Sequence, residues 1–200
     1  NKFLFILLLI FFYNNNLFAL EFKGKFEQGS FIIGKTNPKH KVMIDNKRIK
    51  VTKDGYFAFG LGRDRKTNVL IKLINENETK IVEKKVFKRD YKIQKIDGLP
   101  EKKVTPPKEV YDRIKRENKL IGEARAIESN LTFFKDKFIN PLEDSIVTGV
   151  YGSQRILNGK PKWPHYGIDF AAKEGTEIKA MLGGTATMVE PDLFYTGGTL

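Results

Sequence analysis

Two hundred residues, 40% hydrophobic and 30% charged, make a globular chain of one domain or two small ones rather than a disordered chain. No cysteine occurs, which excludes a disulfide scaffold, a zinc ribbon, a thiol nucleophile and an iron–sulfur site. His40 and His165 are the only two histidines, so a site of several histidines cannot be completed within these residues, and 36 Lys+Arg against 24 Asp+Glu leave a net charge of +12.

The chain begins with Lys2 and an unbroken apolar run from Phe3 to Tyr13, followed by Asn14 to Asn16 and Leu17-Phe18-Ala19. A basic start, an apolar stretch and a small residue form a secretory signal, with a cut expected after Ala19. The run is much shorter than the about 20 apolar residues of a spanning helix. It also lacks the amphipathic period of a core helix. The mature chain is therefore expected to be exported, to the periplasm or cell envelope. Its basic character suits acidic partners there, such as wall polymers or anionic head groups. No nucleic acid is expected, because the basic residues are scattered and no aromatic–basic RNA motif or zinc-finger spacing occurs. A composition rich in Lys, Ile, Asn and Phe is expected to account for much of the charge excess without any partner.

Residues 20–98 read as a small β domain. Phe31-Ile32-Ile33, Val42-Met43-Ile44 and the alternating Ile49 and Val51 are separated by turns at Asn37-Pro38 and Asp45-Asn46-Lys47. Asp54-Gly55 is a strong turn signal before Tyr56 to Phe59. Val69–Ile74 and Ile81–Phe87 flank Asn75 to Glu78, a further hairpin. Short strands at this spacing suggest a sandwich. His40, in a lysine-rich turn, reads as solvated, and so does the loop Arg63-Asp64-Arg65-Lys66.

Residues 99–140 read as a linker and a helix. Leu99 to Lys108 holds three prolines and three lysines. Thr105 can cap a helix that starts at the prolines. Val110, Ile114, Ile121, Ala124 and Ile127 recur at near-helical spacing through about Ser129, a stripe expected to pack on a flanking domain.

Residues 141–200 carry the chemistry. His165 and Asp169 are the only His–acid pair set among glycines and short apolar runs. Imidazole and carboxylate are zinc ligands, and tetrahedral coordination brings their ligating atoms within about 3–4 Å of each other. Four residues apart on a helix they share a face; on a straight strand they lie about 13 Å apart. Pro164 and Gly167 argue for a loop that bends into a strand at Ile168, which would bring both side chains to one point. By spacing alone an H-x-x-x-D match is a weak signal that occurs by chance in many proteins, and a salt bridge or surface pair is the default explanation.

The context adds more. Val150-Tyr151-Gly152-Ser153-Gln154-Arg155, then His165-Tyr166-Gly167-Ile168-Asp169, then Gly175-Thr176, Ala180 and Gly183-Gly184 resemble, in order and spacing, the catalytic domain of the lysostaphin/LytM-type zinc metallopeptidases. The upstream part is similar to an exported subgroup with a small β domain before the peptidase, in phrases such as Ile96-Asp97-Gly98-Leu99-Pro100 and Tyr195-Thr196-Gly197-Gly198-Thr199-Leu200. The resemblance implies a mainly β fold: a sandwich-like domain at 20–98, a linker helix within 99–140, and an antiparallel-β metallopeptidase domain, in part, at 141–200. It implies hydrolysis of a peptide bond in peptidoglycan, with His165 and Asp169 as the first two ligands of Zn2+. A zinc with three protein ligands keeps a water in the open position and lowers its pKa to about 7.

The family takes its third ligand from a later H-x-H motif, and its proton-handling histidines also come after the first one. No histidine follows His165. The chain is therefore expected to be a fragment truncated within the domain, to contain no complete catalytic set, to hold zinc poorly, and to expose core near Leu182, Met188 and Leu200. Tyr151, Arg155, Trp163 and Tyr166 are candidates for a substrate groove, where aromatic and cationic groups suit sugar and carboxylate contacts; packing is the alternative for each. A rival reading is a catalytically degenerate member of the same fold that binds the wall or activates an amidase, with other cell-envelope proteins as partners. In a third, the residue 20–98 domain is itself a binding module. No G-x-S-x-G, Walker loop or dinucleotide fingerprint occurs.

Overall fold

The structure, a computed structural model, describes residues 19–200. The expected export signal at 1–19 lies outside the described residues except for Ala19. The fold is mainly β.

Two sheets built from the first seven strands face one another. One has the order β1-β2-β5 (Glu21–Lys23, Phe31–Lys35, Tyr56–Gly60), and the other β4-β3-β6-β7 (Lys47–Ile49, Lys41–Ile44, Val69–Ile74, Thr79–Lys84). Strict alternation forms the core between them. Val69, Ile71 and Leu73 are fully buried and point inward, while Leu70 between them is exposed. Ile32, Val42 and Phe57 are also fully buried. Each such side chain contributes about 1.5–3 kcal/mol by leaving water, which makes this sandwich the stable part of the molecule. The turns sit where the turn residues stand: Asp45 and Asn46 take positive φ in the β3–β4 hairpin.

The next strand, β8 (Ile93–Ile96), leaves the sandwich. It pairs in parallel with β10 (Gln154–Leu157), in a sheet of order β11-β10-β8 closed by β11 (Lys160–Pro161). The end of the 20–98 segment is thus hydrogen-bonded into the 141–200 segment. Two further antiparallel pairs complete the latter: β9 (Ile146–Gly149) with β12 (Asp169–Ala171), and β13 (Glu190–Leu193) with β14 (Gly197–Thr199). This part is thinly covered. Every residue from 171 to 180 is exposed. Leu200 is exposed too, whereas Leu182 and Met188 are half-buried.

The linker departs from expectation in three ways. Glu101–Val104 forms one helical turn, α1, because this run of good helix formers can bury Val104. Asn158 fastens its start, accepting from the Leu99 N–H and donating to the Leu99 carbonyl. The long helix, α2, spans Tyr111–Ala126 after a short 3₁₀ turn, so Thr105 does not cap it. The apolar stripe of α2 buries no residue. The helix is held instead by polar contacts to the β13–β14 hairpin: Arg113 pairs with Asp192 at 3.0 Å, and Glu117 accepts the Phe194 N–H at 2.9 Å. Charged residues crowd a stripe too thin to form a core. No helix among the described residues is long and apolar enough to cross a membrane.

Residues 129–138 cross the outer face of the β1-β2-β5 sheet as a strap. Lys135 pairs with Asp54 at 2.6 Å and lies over the Tyr56 ring, and Phe138 meets Phe31 edge to face. Beyond it, the Ile139 N–H donates to the Met181 carbonyl, so the strap ties the sandwich to the glycine-rich loop of the last segment.

Candidate metal-binding site

Two loops build the site. Residues 150–153 join β9 to β10, and residues 162–168 lead into β12. They are clipped together by two backbone hydrogen bonds: Gly152 N–H to the His165 carbonyl at 2.7 Å, and His165 N–H to the Ser153 carbonyl at 2.8 Å. The Ser153 hydroxyl donates to the Val150 carbonyl and closes the first loop on itself. Asp169 opens β12 opposite Gly149, with a register shift just after it. Gly149 is required there: a Cβ would press on the Asp169 carboxylate and lie 3.1 Å from His165 Cε1.

The chain bends between the two candidate ligands as Pro164 and Gly167 suggest. His165 Nε2 stands 3.0 Å from Asp169 Oδ1. Atoms this close can share one ion. The second carboxylate oxygen, Oδ2, accepts from Arg155 Nη2 at 2.8 Å. The imidazole is nearly enclosed, its side chain 10% exposed, while the carboxylate stays about half open. His165 Nδ1 and Arg155 Nε are buried without a hydrogen-bond partner.

As a zinc site, these residues fit in part. An imidazole nitrogen and a carboxylate oxygen converge, which is the chemistry of two ligands. No group of three His, Cys, Asp or Glu able to hold a metal occurs among the described residues. A zinc-bound histidine ordinarily donates its other N–H to a partner that orients it, and Nδ1 has none. His165 and Asp169 would supply two of the positions, and the others must come from elsewhere.

The candidate groove residues divide. Tyr151 and Tyr166 meet edge to face with ring centroids 6.1 Å apart, Tyr151 half-buried and Tyr166 exposed. Trp163 is almost fully exposed. Arg155 faces Asp169 and holds its Oδ2 at 2.8 Å rather than lining an open groove.

Sequence reasoning missed the joint beneath the site. Arg63, expected in a solvated loop, is nearly buried, its side chain 12% exposed. Its Nε donates to the Gly152 carbonyl at 2.7 Å, and its guanidinium lies 4.4 Å from the Tyr91 ring centre. Tyr91 fills the space beside Gly152, whose φ is +88°. The sandwich therefore grips the very loop that clips His165. Arg65 is likewise drawn in, bridging Asp45 and the Thr67 carbonyl. His40 also departs from expectation: it is half-buried, its Nδ1 lies 2.8 Å from the Thr36 hydroxyl, and burial lowers its pKa. Burial away from water disfavours the charged imidazolium.

No protein-family model matches the chain, and no curated protein matches it.

Proposed function

We propose that this chain belongs to an exported zinc endopeptidase that cuts peptide bonds in peptidoglycan. The observation that carries the reading is the convergence of His165 Nε2 and Asp169 Oδ1 at 3.0 Å, beside Gly149 at the end of β9, where a Cβ would crowd the pair. The sequence resemblance described above supports the same assignment. Residues 20–98 form a support domain in this reading, 99–140 a linker, and 141–200 the part of the peptidase that holds these ligands. Zinc bound there would polarise a peptide carbonyl and activate a water. The chain's own residues position the two ligands. His165 is held by its backbone to Ser153 and Gly152. Arg155 holds one oxygen of Asp169 and so presents the other toward His165. Tyr151 and Tyr166 form an aromatic wall beside them, suited to the sugar and peptide faces of the substrate. The remaining ligand and the proton-handling groups lie outside this set.

A second reading has a specific observation in its favour. Arg155 already neutralises Asp169, and His165 Nδ1 lacks an orienting partner. Both suit a catalytically degenerate protein of this fold that binds the wall or activates an amidase. Peptide release from purified peptidoglycan by the protein as its cell makes it separates the two. Release that is lost in both His165→Ala and Asp169→Ala, with the fold retained, supports the peptidase. Release unchanged in those variants sinks the ligand assignment, and no release from the parent protein favours the second reading.

A further inference from the structure

The charge excess is not spread along the chain. Residues 20–98 hold 20 Lys+Arg against 10 Asp+Glu, whereas residues 99–200 hold 15 against 14. A compositional bias acting on the whole chain would raise both halves alike. Its confinement to residues 20–98 calls for a reason in that segment.

The two outer faces of the sandwich differ. The strap of residues 129–138 covers the β1-β2-β5 face at Tyr56 and Phe31. The outer face of the β4-β3-β6-β7 sheet is left open. Strand register places Arg48, Met43, Lys72 and Ile81 in one row across all four strands. Lys41 and Ile74 follow in the next row, and Leu70 beside Glu83 in the row on the other side. The inward neighbours Val42, Ile44, Ile71 and Leu73 are buried, so these rows face outward. Ile81 is 59% exposed and Leu70 39%. Of the acids here, Asp45 is bridged by Arg65, and Glu83 accepts from Asn68.

We infer that this face seats the protein on an anionic lipid surface. Cations interleaved with exposed aliphatic side chains match a bilayer surface, where phosphates meet the acyl boundary. A single-stranded nucleic acid would call for stacking groups, and none of these four strands carries an aromatic residue. A second copy of the chain would set cation against cation. The inference does not depend on the zinc site.

The test uses the chain from Leu20 onward, which carries every described element and lacks the apolar run at Phe3–Tyr13. Co-sedimentation is measured with phosphatidylcholine vesicles, with and without phosphatidylglycerol. Binding is expected only with the anionic lipid, and it should fall as salt rises. The double variant Arg48→Glu, Lys72→Glu should weaken it by about 25-fold or more, since each cation near such a surface contributes about fivefold. Lys115→Glu with Arg125→Glu on α2 makes the same change in net charge elsewhere and should weaken it far less. Because the chain has no cysteine, a polarity-sensitive dye at Ile81→Cys reports seating directly, and the same dye at Lys115→Cys should not respond. Equal binding to neutral vesicles, equal loss in both double variants, or a silent dye at Ile81→Cys would overturn the inference. So would preferential binding to soluble polyphosphate that leaves vesicles behind.

Discussion

Replacing Gly152 with alanine tests how tightly the sandwich controls the site. At φ +88° a side chain is strained wherever it stands, at about 1–2 kcal/mol. The new methyl would also lie 3.0 Å from Tyr91 Cζ and closer still to Cδ1 and Cε1. The ring has little room to retreat. Arg63 and Arg89 lie 4.4 and 5.5 Å from its centre, and its hydroxyl abuts Gly29. Overpacking of this kind costs about 1–3 kcal/mol, so the total is about 2–5 kcal/mol. Gly175→Ala is the comparison, because Gly175 has a similar φ of +83° with open space around it, and should lose only the conformational part. Urea unfolding followed by circular dichroism measures both. The same displacement should reach His165 through the Gly152 N–H to His165 carbonyl bond, and with two histidines in the chain the ring signals are readily assigned by NMR. Equal destabilisation in the two variants, with the His165 signals unmoved in Gly152→Ala, would refute the claim that Tyr91 and Gly152 form a packed joint.

Arg63→Ala removes a charged donor from the Gly152 carbonyl at a nearly buried position and should cost about 1.5–3 kcal/mol in the same unfolding assay. Asp54 has its pKa lowered to about 2 by hydrogen bonds from Lys135 and then Thr52. A carboxylate depressed in the folded state contributes fully above its ordinary value of 3.8 and loses that contribution as pH falls toward about 2. The strap should therefore loosen across that window, read as faster amide exchange in residues 129–138, and Asp54→Asn should abolish that pH dependence. Arg155→Ala removes a positive charge from beside Asp169; at a half-exposed position this is worth at most about 1 kcal/mol, so zinc should bind more tightly by up to about fivefold in competition with a chromogenic chelator.

Much of the sandwich was legible because its signals are local. Alternation in Val69 to Leu73 and turn residues at Asp54-Gly55 and Asn75 to Glu78 specify strands and their ends without reference to the rest of the chain. The meeting of His165 and Asp169 was legible for the same reason: Pro164 just before His165 and Gly167 among the three residues between the pair bend the chain there. The joint was not. Arg63 and Gly152 are 89 residues apart, and a charged loop residue carries no mark of the carbonyl it will find. The parallel pairing of β8 with β10 was equally hidden, since a four-residue strand shows its face but not its neighbour. Helix α2 shows the opposite failure: a clear periodicity is no proof of burial when charges flank so thin a stripe.

The central claim is that His165 and Asp169 bind one zinc ion together. The most direct measurement is a zinc titration followed through the histidine ring signals. The account predicts that the His165 signals move while those of His40, held by Thr36, stay still, and that the response vanishes in Asp169→Ala. A response shared equally by both histidines, or one that persists undiminished in Asp169→Ala, would contradict it.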